Sequence, residues 1–166
     1  MAASHARHCI IAVDGSEHSE YAFEWYCKFI YKDDDEVTLL NIPEVNPTVH
    51  SKSPNVALVA PEIMVAMARQ EHDKINAEMQ KFADKLKQHK IGGKVKTIVA
   101  SKPGEGIIKA AEETHADLIV LGSRGKGTVR RTLMGSVSDY VVHHAHVPVI
   151  VCKHPHKHVH PEDLGS

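Results

Sequence analysis

Five short runs rich in Val, Ile and Leu punctuate the chain: HCIIAVD (8–14), EVTLLNI (36–42), KVKTIVA (94–100), DLIVLG (117–122) and VPVIVCK (147–153). Each has the length and β-branched content of a strand. Between them lie segments of helical character, 17–31, 61–89, 104–115 and 136–145. In the longest, Ile75, Met79, Phe82 and Leu86 recur at steps of four, three and four, which is one apolar stripe on a helix, and the Gly92-Gly93 pair supplies its stop. Strands apolar on both faces and separated by helices predict a parallel sheet covered on two sides and built from right-handed crossovers. The expected fold is therefore a three-layer α/β/α sandwich with a five-stranded parallel sheet. At 166 residues and 42% hydrophobic content the chain suffices for one such domain.

Two stretches fall outside that pattern. Residues 43–60, PEVNPTVHSKSPNVALVA, read either as a solvated linker or as a functional loop. Residues 154–166, HPHKHVHPEDLGS, lack any apolar period and are expected to form a disordered His-rich tail beyond a domain of residues 1–153. His154, His156, His158 and His160 alternate there, and imidazoles suit transition metals, but no surrounding fold defines a site, so no metal centre is expected. His143, His144 and His146 fall at a helix end, where cations suit the dipole.

Charge is balanced, with 20 Lys plus Arg against 21 Asp plus Glu, so composition gives no reason to expect nucleic acid or a membrane surface as a partner. Cys9, Cys27 and Cys152 form neither a CxxC pair nor an even set, as befits a reducing compartment. No apolar run reaches signal or membrane length. A soluble, cytoplasmic protein is expected.

One local concentration of charge stands out. GSRGKGTVRRTLMGS (122–136) carries four glycines and four cations directly after the fourth apolar run. Open parallel sheets bind ligands beyond the carboxyl ends of their strands. Glycines let backbone N–H groups approach an anion closely, and a helix beginning near Ser136 would aim its positive end at the same place, so a phosphate chain is the natural guest. The common phosphate motifs do not fit: Gly127 is followed by Thr128 rather than Lys-Ser/Thr, and GxGxxG counted from Gly125 ends on Arg130.

The spacing Gly122-x2-Gly125-x9-Gly135-Ser136 resembles the nucleotide-binding signature of the ATP-binding universal stress protein family. The resemblance runs from about residue 7 to 153, through IIAVDGSEHSEYAFEW, KPGEGIIKAAEETHADLIVLGSRG and HHAHVPVIVCK. It implies the adenine nucleotide alpha hydrolase-like fold with strand order 3-2-1-4-5, and a bound ATP or AMP, with Mg²⁺ as a companion ion. By the same resemblance Ala12 and Val13 would line the adenine slot, Ile42 would offer backbone groups to the adenine edge, and Asp14 would hold the ribose hydroxyls. On its own chemistry Asp14 could equally cap the helix after DGS. Leu121 and Gly122 would lie under the sugar and α-phosphate, Gly125 and Gly135 would let the chain wrap the phosphates, and Ser136 with the Val137 N–H would cap them. Arg124 joins these as a neighbour of the phosphates; with Lys126, Arg130 and Arg131 it either screens polyphosphate charge or belongs to a solvated basic face.

The resemblance implies a stress-response or signalling module with at most slow ATP hydrolysis, and a homodimer through strand 147–153. A nucleotide-independent interaction domain of the same fold is the alternative. An ATP pyrophosphatase would carry SGGxDS after its first strand, where this chain has DGSEHS.

Overall fold

The computed structural model describes residues 6–43, 60–125 and 134–155. Nine elements alternate along the chain: β1 (His8–Val13), α1 (Glu17–Phe29), β2 (Glu36–Asn41), α2 (Pro61–Gln88), β3 (Gly93–Thr97), α3 (Pro103–Glu113), β4 (Leu118–Gly122), α4 (Ser136–His144) and β5 (Val149–Cys152). Every strand pair is parallel, and the order is β3-β2-β1-β4-β5. Side chains that alternate along the central strands feed two cores. Cys9, Ile11, Val37, Leu39 and Val120 pack on one face against Phe23 and Tyr26 of α1 and Phe82 and Leu86 of α2. Ile10, Leu40, Ile119 and Leu121 pack on the other against Ile107 and Ala110 of α3 and Val141 of α4. The expected three layers and strand order are thus present.

The end of α2 departs from the sequence reading. Gly92 and Gly93 do not stop it; Lys90 does, in the left-handed region at φ 55. The Lys90 and Ile91 N–H groups reach back to the Lys87 and Leu86 carbonyls, and Ile91 is buried, which is a Schellman closure with lysine where glycine is usual. Helix α3 ends the same way on His115, at φ 49, with Ala116 N–H donating to the Ala111 carbonyl. Gly93 instead opens β3, where a Cβ would stand 2.8 Å from the Val37 carbonyl oxygen on β2.

The two sheet edges differ in character. β3 reads GKVKT, exposed at its first two residues and half-buried after them, whereas β5 reads VIVC, half-buried up to its buried last residue. The first half of α2 also stands clear of the core, with Ile63, Val65 and Met67 more than half exposed. His154, assigned to the tail on sequence, is half-buried with its ring edge-on to Tyr21 at 5.2 Å. His156, His158 and His160 lie outside the described residues, as does nearly all of 43–60.

At the amino end of the sheet Asp35 is buried among donors. Arg7 Nε and Nη2 donate to its two oxygens at 2.9 and 2.7 Å, the Tyr26 hydroxyl donates at 2.6 Å and the Lys32 N–H at 3.0 Å. Burial opposes the charge, but the hydrogen bonds from Arg7, Tyr26 and Lys32 outweigh it and hold the carboxyl below the usual aspartate range. Burial also pushes the Cys152 thiol up to about 11 and the Cys27 thiol up to about 12, so both stay protonated at neutral pH.

Candidate functional site

At the carboxyl end of β1 the chain must turn sharply into α1. Gly15, at φ 76, makes the turn, the Ser16 N–H donates to Asp14 Oδ1 at 2.9 Å, and the Ser16 hydroxyl caps α1 by accepting from the Ser19 N–H. The cap of α1 is therefore Ser16. Asp14 braces the turn through one oxygen, and its residue faces the space above the sheet.

At the end of β4 two backbone segments come very close. A Cβ on Gly122 would lie 2.7 Å from the His18 carbonyl carbon and oxygen, so this glycine is demanded by the packing of α1 over β4, whatever binds nearby. The next residue, Ser123, is buried. Its N–H donates to the Cys152 carbonyl, and its own carbonyl accepts the Gly135 N–H at 2.7 Å and the Ser138 hydroxyl at 3.0 Å. Those bonds hold the start of α4 against the end of β4. Gly135 caps α4 at φ −77, and Gly15 is the sole described glycine with positive φ, so neither Gly125 nor Gly135 needs glycine for a left-handed backbone. At Gly125 the issue is space: a Cβ there would lie 2.6 Å from Asp14 Oδ2, the movable end of that side chain, and would push the carboxylate aside.

These ends enclose a cleft of about 460 Å³, within the range of small-molecule sites. Ala12, Val13, Asp14, Ile42, Leu121, Gly122, Arg124, Gly125, Gly135, Ser136 and Val137 all line it, so these eleven residues singled out on sequence border one space. Lys126, Arg130 and Arg131 lie outside the described residues. The first N–H groups of α4 have no intrahelical acceptor and give the Ser136 end partial positive charge, which suits an anion.

Several lining residues escaped the sequence reading. Glu71, Lys74, Ile75 and Glu78 form one stripe of α2 that walls the cleft, and Pro103 and Ile107 of α3 close another side. The stripe was available in principle, since Glu71, Lys74, Ile75 and Glu78 stand at helical spacing beside the Ile75-Met79-Phe82-Leu86 row. Ser138, two places beyond the signature serine, clamps the loop ends. Asn41 is a buried polar residue that ends β2. Among the described residues no three His, Cys, Asp or Glu side chains converge as a metal cage, and no helix is long and apolar enough to cross a membrane.

The model of the universal stress protein family matches residues 5–153. Universal stress protein MJ0531 of Methanocaldococcus jannaschii is 30% identical over 149 residues, covering 89% of this chain and 82% of the relative. The solved structure of protein MJ0577 superposes with a TM-score of 0.71 at 27% identity, over 91% of this chain and 98% of that one. A universal stress protein family member from Arabidopsis thaliana, solved with AMP bound, has the same fold at a TM-score of 0.63 and 19% identity, over 90% and 92% of the two chains.

Proposed function

This chain belongs to the universal stress protein family, and from that premise we propose that its cleft binds an adenine nucleotide, ATP or AMP, and that the protein serves as a stress-response or signalling module. The observation that carries the reading is the convergence of the strand-end residues Val13, Asp14, Ile42 and Leu121 with Gly125, Gly135 and the α4 amino terminus on one cleft. In this reading the Ile42 end of β2 receives the base, Asp14 accepts from the ribose hydroxyls, and the first turn of α4 meets the phosphates through Ser136 and the Val137 N–H. The AMP held by the similarly folded Arabidopsis protein is a ligand of that chemistry. Mg²⁺ fits as a companion of the nucleotide, carried by its phosphates and water, rather than as a resident ion. The reading places the protein in the cytoplasm, where Cys9, Cys27 and Cys152 remain thiols.

Calorimetry with ATP, AMP and GTP tests the assignment. ATP or AMP should bind with a Kd below about 1 mM, and GTP more weakly. Ser136→Ala removes a hydroxyl but leaves the helix terminus, so ATP should weaken by only about fivefold, on the order of 1 kcal/mol. A parent protein that binds none of the three would leave the nucleotide-independent interaction domain as the reading. Turnover of bound ATP should stay well below a typical enzyme kcat of about 10 s⁻¹, because Asp14, braced on the Ser16 N–H, is committed to the ribose rather than poised as a base. A steady-state ATPase assay checks this. An ordinary enzyme rate, lost in Asp14→Ala with binding retained, would make Asp14 catalytic.

We propose in addition a homodimer through the 147–153 edge. Lys94 and Lys96 guard the opposite edge, whereas β5 offers Val149, Ile150 and Val151. The Ile119 N–H bonds to the Pro148 carbonyl and the Ser123 N–H to the Cys152 carbonyl. The alternation of a parallel ladder then turns the Val149 N–H outward, away from β4. Val149→Pro therefore deletes an outward donor while sparing the β4–β5 bonds. Light scattering should show a dimer for the parent at micromolar concentration and a monomer with unchanged circular dichroism for the variant. A monomeric parent would overturn the assignment.

A further inference from the structure

Asn41 closes β2 where the rest of the strand's interior is apolar or, at Thr38, hydrogen-bonded to His8. It is only 2% exposed, and its backbone is in use, its carbonyl accepting the Ile98 N–H at 3.0 Å. Its side chain is not in use. Among the described residues the amide makes no hydrogen bond, and Nδ2 is sealed from water without a partner. Protein interiors seldom leave a buried amide donor unpaired, so such a group calls for an explanation. Asn41 lines the cleft beside Ile42. Across the register stands Thr97, whose hydroxyl is also sealed and unpartnered.

Resting on the adenine-nucleotide reading above, we propose that Asn41 reads the base: its amide pairs with the adenine edge, Nδ2 donating to N7 and Oδ1 accepting from the exocyclic N6 amine. Among the described residues the amide holds no hydrogen bond, so turning it toward a base breaks none of those shown. An asparagine matches adenine along that edge and mismatches guanine, whose N7 and O6 are both acceptors. This is a second source of adenine preference, distinct from the backbone groups near Ile42, and a side-chain substitution separates the two.

Asn41→Leu keeps the shape and removes both polar atoms. The variant should melt at or above the parent temperature, bind ATP roughly tenfold more weakly, and lose about the same factor from its preference for ATP over GTP. On the ligand side, 7-deaza-ATP, which lacks the N7 acceptor, should bind the parent roughly tenfold more weakly than ATP, and this test does not depend on any variant folding. If the parent binds ATP while Asn41→Leu keeps both affinity and preference, or if 7-deaza-ATP binds the parent as well as ATP, the base-reading role fails and the nucleotide site stands. If Asn41→Leu and Thr97→Val each lower the melting temperature and their effects are not additive, the two side chains serve one another and the role also fails. A parent that binds no adenine nucleotide ends the nucleotide reading and this assignment together.

Discussion

Gly125→Val should leave a folded protein in which the proposed ATP binding is roughly a hundredfold weaker than in the parent. The cause is one atom. A Cβ at position 125 falls 2.6 Å from Asp14 Oδ2, so any side chain there displaces the carboxylate that the proposed site uses for the ribose. That carboxylate sits at the end of a short side chain and can swing away, so the fold absorbs the change while the ligand loses a charged acceptor and the branched side chain intrudes on the cleft. A hydrogen bond to a charged group is worth about 1.5–3 kcal/mol, and each 1.4 kcal/mol is about tenfold in affinity. Calorimetry with circular dichroism on the same samples decides it. Undiminished affinity in a folded variant would show that neither Gly125 nor Asp14 touches the ligand.

The largest effect on stability belongs to the far end of the sheet. Asp35→Ala should lower the melting temperature at pH 7 by roughly 10 °C, on the order of 3 kcal/mol. Removing the carboxylate strands the buried Tyr26 hydroxyl and the Lys32 N–H, while Arg7, whose side chain is 30% exposed, recovers some water. The effect therefore belongs at the low end of the range for a broken buried pair. Its pH dependence follows from the direction of the Asp35 shift. The folded pKa lies below the unfolded one, so the stabilisation is complete above the ordinary aspartate range, about pH 4, and is lost as pH falls through the folded value. Parent and variant should differ fully at pH 7 and converge in acid. A gap between the melting curves that is independent of pH would show that the carboxylate's charge contributes nothing.

The alternation of apolar runs and helical stripes was legible because parallel strands covered on both faces leave little room for polar residues. Strands β1, β2 and β4 accordingly begin and end within a residue of their expected bounds. The reading failed where tertiary contact decides. Gly93 looks like a helix stop in the sequence and is a strand residue whose missing Cβ admits the Val37 carbonyl; Lys90, which has no propensity for the left-handed region, takes the capping role because Ile91 gains a buried seat. In the cleft, the glycine spacing found both ends of the loop. It could not find Glu71, Lys74 and Glu78, which approach the strand ends only through the crossover from β2 to β3, nor the unpaired state of Asn41, which depends on what its neighbours fail to offer. At Gly122 the spacing carried no sign of a second demand on the glycine, where a Cβ would meet the backbone of His18.

The carbonyl of Ser123 takes both the Gly135 N–H and the Ser138 hydroxyl, so β4 and α4 are fastened to one another before the intervening residues have any say. What lies between them is, to the domain, an insertion with clamped ends, and the entropy of closing such a loop changes only slowly with its length. Descendants of this chain could lengthen, shorten or rewrite that insertion and keep folding. The length and sequence of that insertion and the architecture around it are thereby free to evolve at different rates.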